Sequence, residues 1–496
     1  MIAGGLSHDA DVGARAWAIE PILAFAREVL SEIAKRPATR AVMLCLPAPR
    51  ARLTCLFDLP GATESAFLWQ PPSGSLRCPP IAGFGVARRF DLAPDTEPSA
   101  VARLGAKILA EIEVVAHPAL SMAPPMIAPR FFGGVAFDGR SAANGAPWGS
   151  FGAGSFILPR WTYAHGEGDS AALSCVLGLA EETKDVDLNV GSILESLRAT
   201  YRGLLMADAR MSPCELEAAS PVSVSETPVD VFSAQVEAIR SGIRAGRFGK
   251  VVAARRSVVH ATRPISVGRT MDALAQAHPG TLKFAFSRGD SVFVGASPEL
   301  LVSRHGLDVR SEAVAGTIVT TEPDAAQRLF ESQKDREEHA FVVDHLVERL
   351  SSFCDASDSV GLVRRAEPLV RRHGAVAHLV TSLTGQLSAP VHVLDLVKAL
   401  HPTPAVCGSP PEAAAAFIRE NEPDARGWYS GPVGWFDAHG QGEFWVALRS
   451  GVLRGPCAYL FAGAGIVGRS SPAAEYEETG LKFSTLLRAL KVESFR

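Results

Sequence analysis

The sequence predicts an α+β chain: large antiparallel sheets flanked by helices. Three observations lead there. Short apolar or alternating runs are bounded by glycine and turn residues, as strands of an antiparallel sheet are. Runs with helical spacing gather between groups of strands and do not alternate with single strands as a doubly wound parallel fold requires. The 496 residues, 47% hydrophobic and 21% charged, suffice for a large core or two to three ordinary soluble domains.

The elements follow in order. About the first 125 residues alternate alanine-rich helical patterns with short strand-like pieces such as "RAVMLCLPAP", and end in the proline-rich "HPALSMAPPMIAPR". "RFFGGVAFDG" and "SFILPRWTYAHG" read as strands punctuated by glycine. "AALSCVLGLA" is a strand, "VGSILESLRATYRGLL" a helix, and the polar "EAASPVSVSETPVD" the best candidate boundary between subregions. "DVFSAQVEAIRSGIRAG" is an amphipathic helix closed by Gly246. "KVVAARRSVVH", "LKFAFSRG", "SVFVGASPELLVSRHG" and "LDVRSEAVAGTIV" are strands, and "EPDAAQRLFESQKDREEHAFVVDHLVERLSSF" is one long helix. "AVAHLVTSLTGQL", "SGPVGWFDAHGQGEFWVALRSGVLRG" and "CAYLFAGAGIVG" are strands and hairpins. The closing "SSPAAEYEETGLKFSTLLRAL" is a helix with Ser470 or Ser471 as N-cap, Pro472 in the first turn, and Leu481, Leu486, Leu487 and Leu490 at helical spacing.

Bulk properties exclude several functions. A formal net charge of -4, with no basic tail, gives nucleic-acid binding no electrostatic support. No apolar run approaches the ~20 residues that span a bilayer. The opening "MIAGGLSHDADV" lacks a basic-then-apolar signal pattern. The eight cysteines have no CxxC or metal-type spacing, so free thiols in a reducing, cytoplasmic compartment are expected.

Four features could carry chemistry, and each has a plainer reading beside it. In the last helix Glu475, Glu478 and Lys482 fall at i, i+3 and i+7, on one face. They are either a solvated acidic helix start with a weak Glu–Lys pair, or a carboxylate facing a hard cation and a lysine facing an anion. Asp335 and Glu338 lie one turn apart on the long helix, beside the stripe of Phe341, Val342, Leu346 and Leu350. Two helices that each offer two carboxylates suit an octahedral Mg²⁺, which takes few protein oxygens and keeps waters or substrate oxygens; surface helices also carry such pairs. Glu299, after the proline of "GASPELL", is a turn glutamate or a buried acid. Lys250 at the start of "KVVAARR" is an edge-strand guard or a base in a cleft. The glycines of "LFAGAGIVG" lack GxGxxG spacing, which excludes a dinucleotide site, though their backbone N–H groups could approach a carboxylate. His378 alternates with apolar residues on a strand, the usual pattern of a satisfied core histidine.

Taken in order, "KVVAAR", "GASPELL", "AVAGT", "SQKDREEH", "VAHL", "LHPTPAVCGSP", "RGWYSGPVGW", "FWVALRS", "AGAGIV" and "AEYEETGLK" resemble the chorismate-utilising enzymes, and among them the isochorismate-forming branch. The resemblance is strongest over residues 231–493 and extends weakly upstream through "RFFGGVAFDG" and "FILPRW". It implies a single chorismate-binding-enzyme body, to which residues 1–225 contribute sheet and helices and in which residues 226–496 hold the catalytic region.

The resemblance also implies roles. Glu338 and Glu478 would bind Mg²⁺, with Asp335 and Glu475 supporting it. Lys482 would lie near a substrate carboxylate, and Tyr429 and Arg449 would hold the enolpyruvyl carboxylate, for which the arginine fork suits. Gly316, Thr317, His378 and the backbone of Gly463 and Ala464 would line the same pocket. Lys250 would be the base and Glu299 the acid in moving a hydroxyl from C4 to C2 of chorismate. Lys250 argues for water as nucleophile and against ammonia, hence against anthranilate formation. Related enzymes are often monomers, which makes a monomer the expected assembly. Three departures concern pocket shape: Cys407 replaces a usual glycine, Pro411 a common basic residue, and "AGTIVTT" lacks an arginine after AGT. Two rival readings are a salicylate synthase, releasing pyruvate at the same site, and a non-catalytic binding protein on the same fold.

Overall fold

The computed structural model describes residues 18–35, 41–58, 65–73, 78–94, 96–120, 127–138, 147–178, 189–209, 220–320, 324–354, 362–364, 367–374 and 376–492. The opening "MIAGGLSHDADV", positions 121–126 of the proline-rich run, positions 321–323 before the long helix and position 375 lie outside the described residues.

All twenty-one strands of the described residues join one network of pairings, and all but one pairing is antiparallel. From one end, Pro221–Glu226 pairs with Lys250–Ala261, then come Cys457–Ile466, Ser450–Arg454, Ser291–Ser297 and Leu282–Arg288. Phe67–Gln70, Ile81–Leu92 and Gly154–His165 continue the path, which then forks. One branch runs through Ala171–Leu177 and Val42–Pro47 to Glu113–Ala116, the single parallel pair. The other runs through Phe131–Val135, Pro432–Phe436, Gly442–Val446 and Leu300–His305 to Asp308–Val319 and Val376–Gln386. This is the expected α+β architecture. Among the described residues, strands from the first 226 residues pair with later strands at three places, Pro221–Glu226 with Lys250–Ala261, Phe67–Gln70 with Leu282–Arg288 and Phe131–Val135 with Pro432–Phe436.

Local chemistry explains several element limits. "SVFVGASPELL" makes two strands, because Pro298 has no N–H to continue the ladder. The segment before it pairs with Leu282–Arg288 and the one after it with Asp308–Val319. Helix Val229–Arg244 buries Phe232, Val236 and Ile239 at helical spacing, and Gly246 beyond its end takes φ 71°, a value glycine adopts freely.

Two expectations are corrected here, the single long helix and the serine cap of the last one. The long helix is two, Ala325–Glu331 and Gln333–Ser351. Ser332 leaves helical geometry and its side chain accepts from the Asp335 N–H, restarting the helix with a capping contact. The polar run read as the best candidate boundary supplies strand Pro221–Glu226, paired along Lys250–Ala261; its first three residues, 217–219, lie outside the described residues. Ser471 occupies the N-cap of the last helix without a side-chain capping bond, and the Ser470 hydroxyl accepts from the Val467 N–H instead.

A block of aromatic rings lies under the strands that carry the site. Trp148 meets Phe293 at 5.2 Å and Phe461 at 5.4 Å, and Phe461 stacks on Tyr429 at 5.4 Å. Such contacts add about 0.5–1.5 kcal/mol each beyond area burial and hold the Tyr429 ring in place. Trp148 packs so closely on Gly427 (φ 52°) that a Cβ there would lie 2.1 Å from the indole. Among the described residues no helix is long and apolar enough to cross a membrane.

Candidate active site

Strands from the two ends of the pairing path meet at a cleft of about 570 Å³, with helices Gln333–Ser351 and Pro472–Ala489 over it. The sequence makes room for the cleft with glycine. A Cβ on Gly465 would lie 2.1 Å from Oε1 of Glu338 and 2.8 Å from Cε of Lys250, and one on Gly463 would lie 3.1 Å from the Tyr429 hydroxyl. Side chains alternate across a strand, so Ala464 between them belongs to the buried core. Gly463 and Gly465 line the cleft, where the sequence reading had Gly463 and Ala464.

Lys250, first residue of its strand, is completely buried, and its Nζ lies 3.1 Å from Oε1 of Glu338. Burial alone would raise the Glu338 carboxyl, but Lys250, Lys334 and Lys482 outweigh it and hold it below the usual range. One turn before Glu338, Asp335 accepts from the Thr317 N–H at 3.2 Å and from the Ser332 hydroxyl, so it ties the helix start to the strand. On the last helix Glu478 accepts from Lys482 at 2.6 Å, and Lys482 also donates to the Gly463 carbonyl at 2.8 Å. Glu475 is 1% exposed and bound to Lys334 at 2.7 Å; burial and the neighbouring Glu478 raise its carboxyl. These carboxylates are therefore not a solvated helix face. Sequence reasoning missed Lys334, whose partner is 141 positions away.

Among the described residues no three His, Cys, Asp or Glu side chains form a metal cage. Glu338 and Glu478 are hard oxygen donors, 12% and 17% exposed, on the two helices over the cleft. That donor set fits Mg²⁺, which commonly takes one or two carboxylates and completes its shell with water and substrate oxygens.

Glu299 is 2% exposed in the wall of the cleft. Burial pushes its carboxyl up to about 8, against the opposing pull of Lys250. A carboxyl so placed is protonated at neutral pH.

The cleft lining also presents cations and a hydroxyl. Arg449 takes a left-handed backbone (φ 49°) between two strands, and among the described residues no carboxylate pairs with it. Its guanidinium donates to Nε2 of His378 at 2.9 Å. Gly316 (φ 75°) is the extra residue of a β-bulge opposite Leu379 and His378, and its carbonyl lies 3.1 Å from His378 Nδ1. Thr317 Oγ1 lies 3.2 Å from the same nitrogen. Tyr429, also at the cleft, has its hydroxyl pushed up to about 12 by burial, so it is a neutral donor.

Arg426 also lines the cleft, unforeseen although "RGWYSG" contains it. The protein itself holds it: it donates to the carbonyls of Val406 (2.6 Å) and Val252 (2.9 Å) and to Glu422 (2.7 Å). Glu422 in turn accepts from the Ala254 N–H at 3.0 Å. The pair thus pins the 402–407 loop to the Lys250 strand. Of the departures, Cys407 is buried with its Sγ 3.4 Å from the Pro411 carbonyl, and Pro411 opens helix Pro411–Asn421. Neither residue lines the cleft, whereas Ala405 and Val406 do.

A buried acid, a buried lysine, two helix carboxylates and an arginine with no carboxylate partner among the described residues gather at and around one cleft of a largely antiparallel α+β fold. The chorismate binding enzyme family matches residues 28–491, and the chain belongs to that family. It is similar to the isochorismate synthase MenF of Bacillus subtilis, 34% identical over 73% of this chain and 75% of that one. It is also similar to the salicylate biosynthesis isochorismate synthase of Pseudomonas aeruginosa, 37% identical over the same shares. Among solved structures, the menaquinone-specific isochorismate synthase MenF of Escherichia coli superposes with a TM-score of 0.71. It is 26% identical and covers 95% of this chain and 100% of that one.

Proposed function

We propose that this chain is an isochorismate synthase, an isomerase that converts chorismate to isochorismate with Mg²⁺ as cofactor. The observation that carries the reading is Glu299: a carboxyl protonated near neutrality, in one cleft with Glu338, Arg449 and Lys482. The named relatives support it.

In this reading Arg449 and Tyr429 hold the enolpyruvyl carboxylate, the arginine through its fork and the tyrosine through its hydroxyl. Lys482 faces the ring carboxylate, and Gly316, Thr317, His378 and the Gly463 strand shape the walls. Water adds at C2 and gives its proton to Nζ of Lys250. Both ring double bonds shift by one position, the C4–O bond breaks, and the leaving hydroxyl takes the Glu299 proton. Each positioned proton transfer contributes about 10²–10⁴ in rate. Glu338 and Glu478 would hold the Mg²⁺, with Asp335 and Glu475 supporting them, and the ion supplies positive charge to the substrate's ring carboxylate. Relatives carry menaquinone, salicylate and 2,3-dihydroxybenzoate in their names, so the proposal is the step they share. We place the enzyme in the cytoplasm, acting as a monomer; the seven cysteines of the described residues are all free thiols, which supports a reducing compartment.

Chromatography of the products from pure chorismate, with and without Mg²⁺, tests the proposal. Isochorismate alone, only with Mg²⁺, is the expected result. Salicylate with pyruvate would replace it by a salicylate synthase, and no turnover by a binding protein.

A further inference from the structure

Glu338 and Glu478 both already carry lysine partners. Nζ of Lys250 lies 3.1 Å from Glu338 and Nζ of Lys482 2.6 Å from Glu478. All four side chains are enclosed: Lys250 is completely buried, and the others are no more than 17% exposed. We propose that Lys250 and Lys482 are built-in competitors for the metal. A divalent cation binds by taking Glu338 from Lys250 and Glu478 from Lys482, so that metal binding and lysine release are one exchange. The proposal rests on reading Glu338 and Glu478 as metal ligands.

Three observations support the exchange. A lysine ammonium and a divalent ion on one carboxylate repel each other, and the repulsion is poorly screened in so enclosed a place. Lysine sits on a flexible four-carbon stem, so it can leave by a change of rotamer while the helices stay in place. The two lysines also differ in what awaits them. Lys482 keeps a second acceptor, the Gly463 carbonyl at 2.8 Å. Lys250 has no second acceptor among the described residues. Released from Glu338, its nitrogen turns to whatever the cleft brings within reach, which in the proposed reaction is the incoming water. The same exchange that seats the metal therefore frees the lysine, which becomes the base once its ammonium has passed a proton to solvent. Lys334 stands apart, because its carboxylate is the buried Glu475.

The test is Mg²⁺ titrated into the full chain without chorismate, followed by calorimetry. Lys482→Met should bind Mg²⁺ at least about fivefold more tightly than wild type, the factor expected when a partly buried ion pair no longer competes. Lys482→Arg, which keeps a cation on Glu478, should bind no more tightly than wild type. Lys334→Met should change the affinity less than Lys482→Met. If Lys250→Met folds, it should shift in the same direction as Lys482→Met. Equal affinities for wild type and Lys482→Met overturn the exchange. So does an equal gain from Lys334→Met, which marks a general field effect, and so does a lack of Mg²⁺ binding by Lys482→Met. A separate turnover assay keeps the two readings apart. Mg²⁺-dependent turnover with unmoved affinities sinks the exchange alone; neither binding nor turnover sinks the metal assignment too.

Discussion

Arg449 donates to Nε2 of His378 across 2.9 Å, and this contact fixes the state of the imidazole. A guanidinium has no acceptor, so Nε2 must accept and the ring proton sits on Nδ1, donated to the Gly316 carbonyl. Burial, then Arg449 and Lys482, holds the imidazole far below its ordinary range and keeps it neutral. His378 is thus the rest against which a cleft-lining arginine is set. His378→Phe keeps an aromatic ring but removes the acceptor. The KM for chorismate should rise at least about tenfold, the order of one lost hydrogen bond to a charged group, with kcat changed less. Unchanged KM would show that Arg449 is positioned without it.

Arg426 and Glu422 form a buried ion pair, with side chains 2% and 5% exposed. Removing one member leaves the other charged and unpaired, at a typical cost of about 3–5 kcal/mol. Glu422→Gln and Arg426→Met should each lower the denaturant midpoint accordingly. Replacing both with apolar residues should recover most of the loss. A single substitution costing under about 1 kcal/mol would mean that the pair is not needed to hold the 402–407 loop.

Glu299 makes stability depend on pH. Its carboxyl moves from an ordinary 4.5 to about 8 on folding. A raised value means that the native state holds the proton more tightly than the unfolded chain. The contribution is therefore complete below about pH 4.5 and is lost as pH rises through 8. Glu299→Gln escapes that loss. It should match wild type near pH 4.5 and exceed it by about 3 kcal/mol at pH 7, while activity falls. Denaturant titrations of both proteins at the two pH values decide it; a gap independent of pH would contradict the raised carboxyl.

Gly465 leaves its strand face to Glu338 and Lys250. A methyl group there would sit 2.1 Å from one and 2.8 Å from the other, so both side chains would have to move. Gly465→Ala should lose at least about 10²-fold in kcat, since misplacing a reacting group by an ångström costs that much. The melting temperature should change little, because the displaced groups are ends of long side chains. A variant with normal kcat would show that neither side chain is needed where it stands.

The sequence announced the strands well because glycine and proline punctuate them: Pro298 splits one strand, and Gly316 marks a bulge. The acidic pairs could be read from helical spacing, since i and i+3 share a face in any helix. The break at Ser332 was available too, as S-x-x-D inside a charged run, but helical propensity on both sides hid it. Long-range partners were not legible. Lys334 looks like any surface lysine until the fold brings Glu475 to it, and Arg426 cannot be told from a solvated arginine without the strands it braces. The phase of "AGAG" was open for the same reason. Which residues face the cleft is set by the strand's place beside Lys250–Ala261, not by its own alternation.

Lys250 and Glu299 carry the two proton transfers of the proposed reaction, so their loss separates chemistry from binding. Lys250→Ala should lose about 10²–10⁴ in kcat, and Glu299→Ala a similar amount, with much smaller changes in chorismate affinity. Lys250→Gln should not rescue hydroxyl transfer, because an amide cannot take the proton from water. Glu338→Gln and Glu478→Gln should abolish Mg²⁺-dependent turnover while far-ultraviolet circular dichroism stays native, since a neutral amide is a poor replacement for an ionised ligand. Rapid-quench kinetics on chorismate distinguish these outcomes, because they report the chemical step apart from product release. Near-normal kcat in Lys250→Ala would mean that water finds another base. The buried lysine under Gly465 would then be only the partner of Glu338, and the hydroxyl transfer drawn here would fail at its central step.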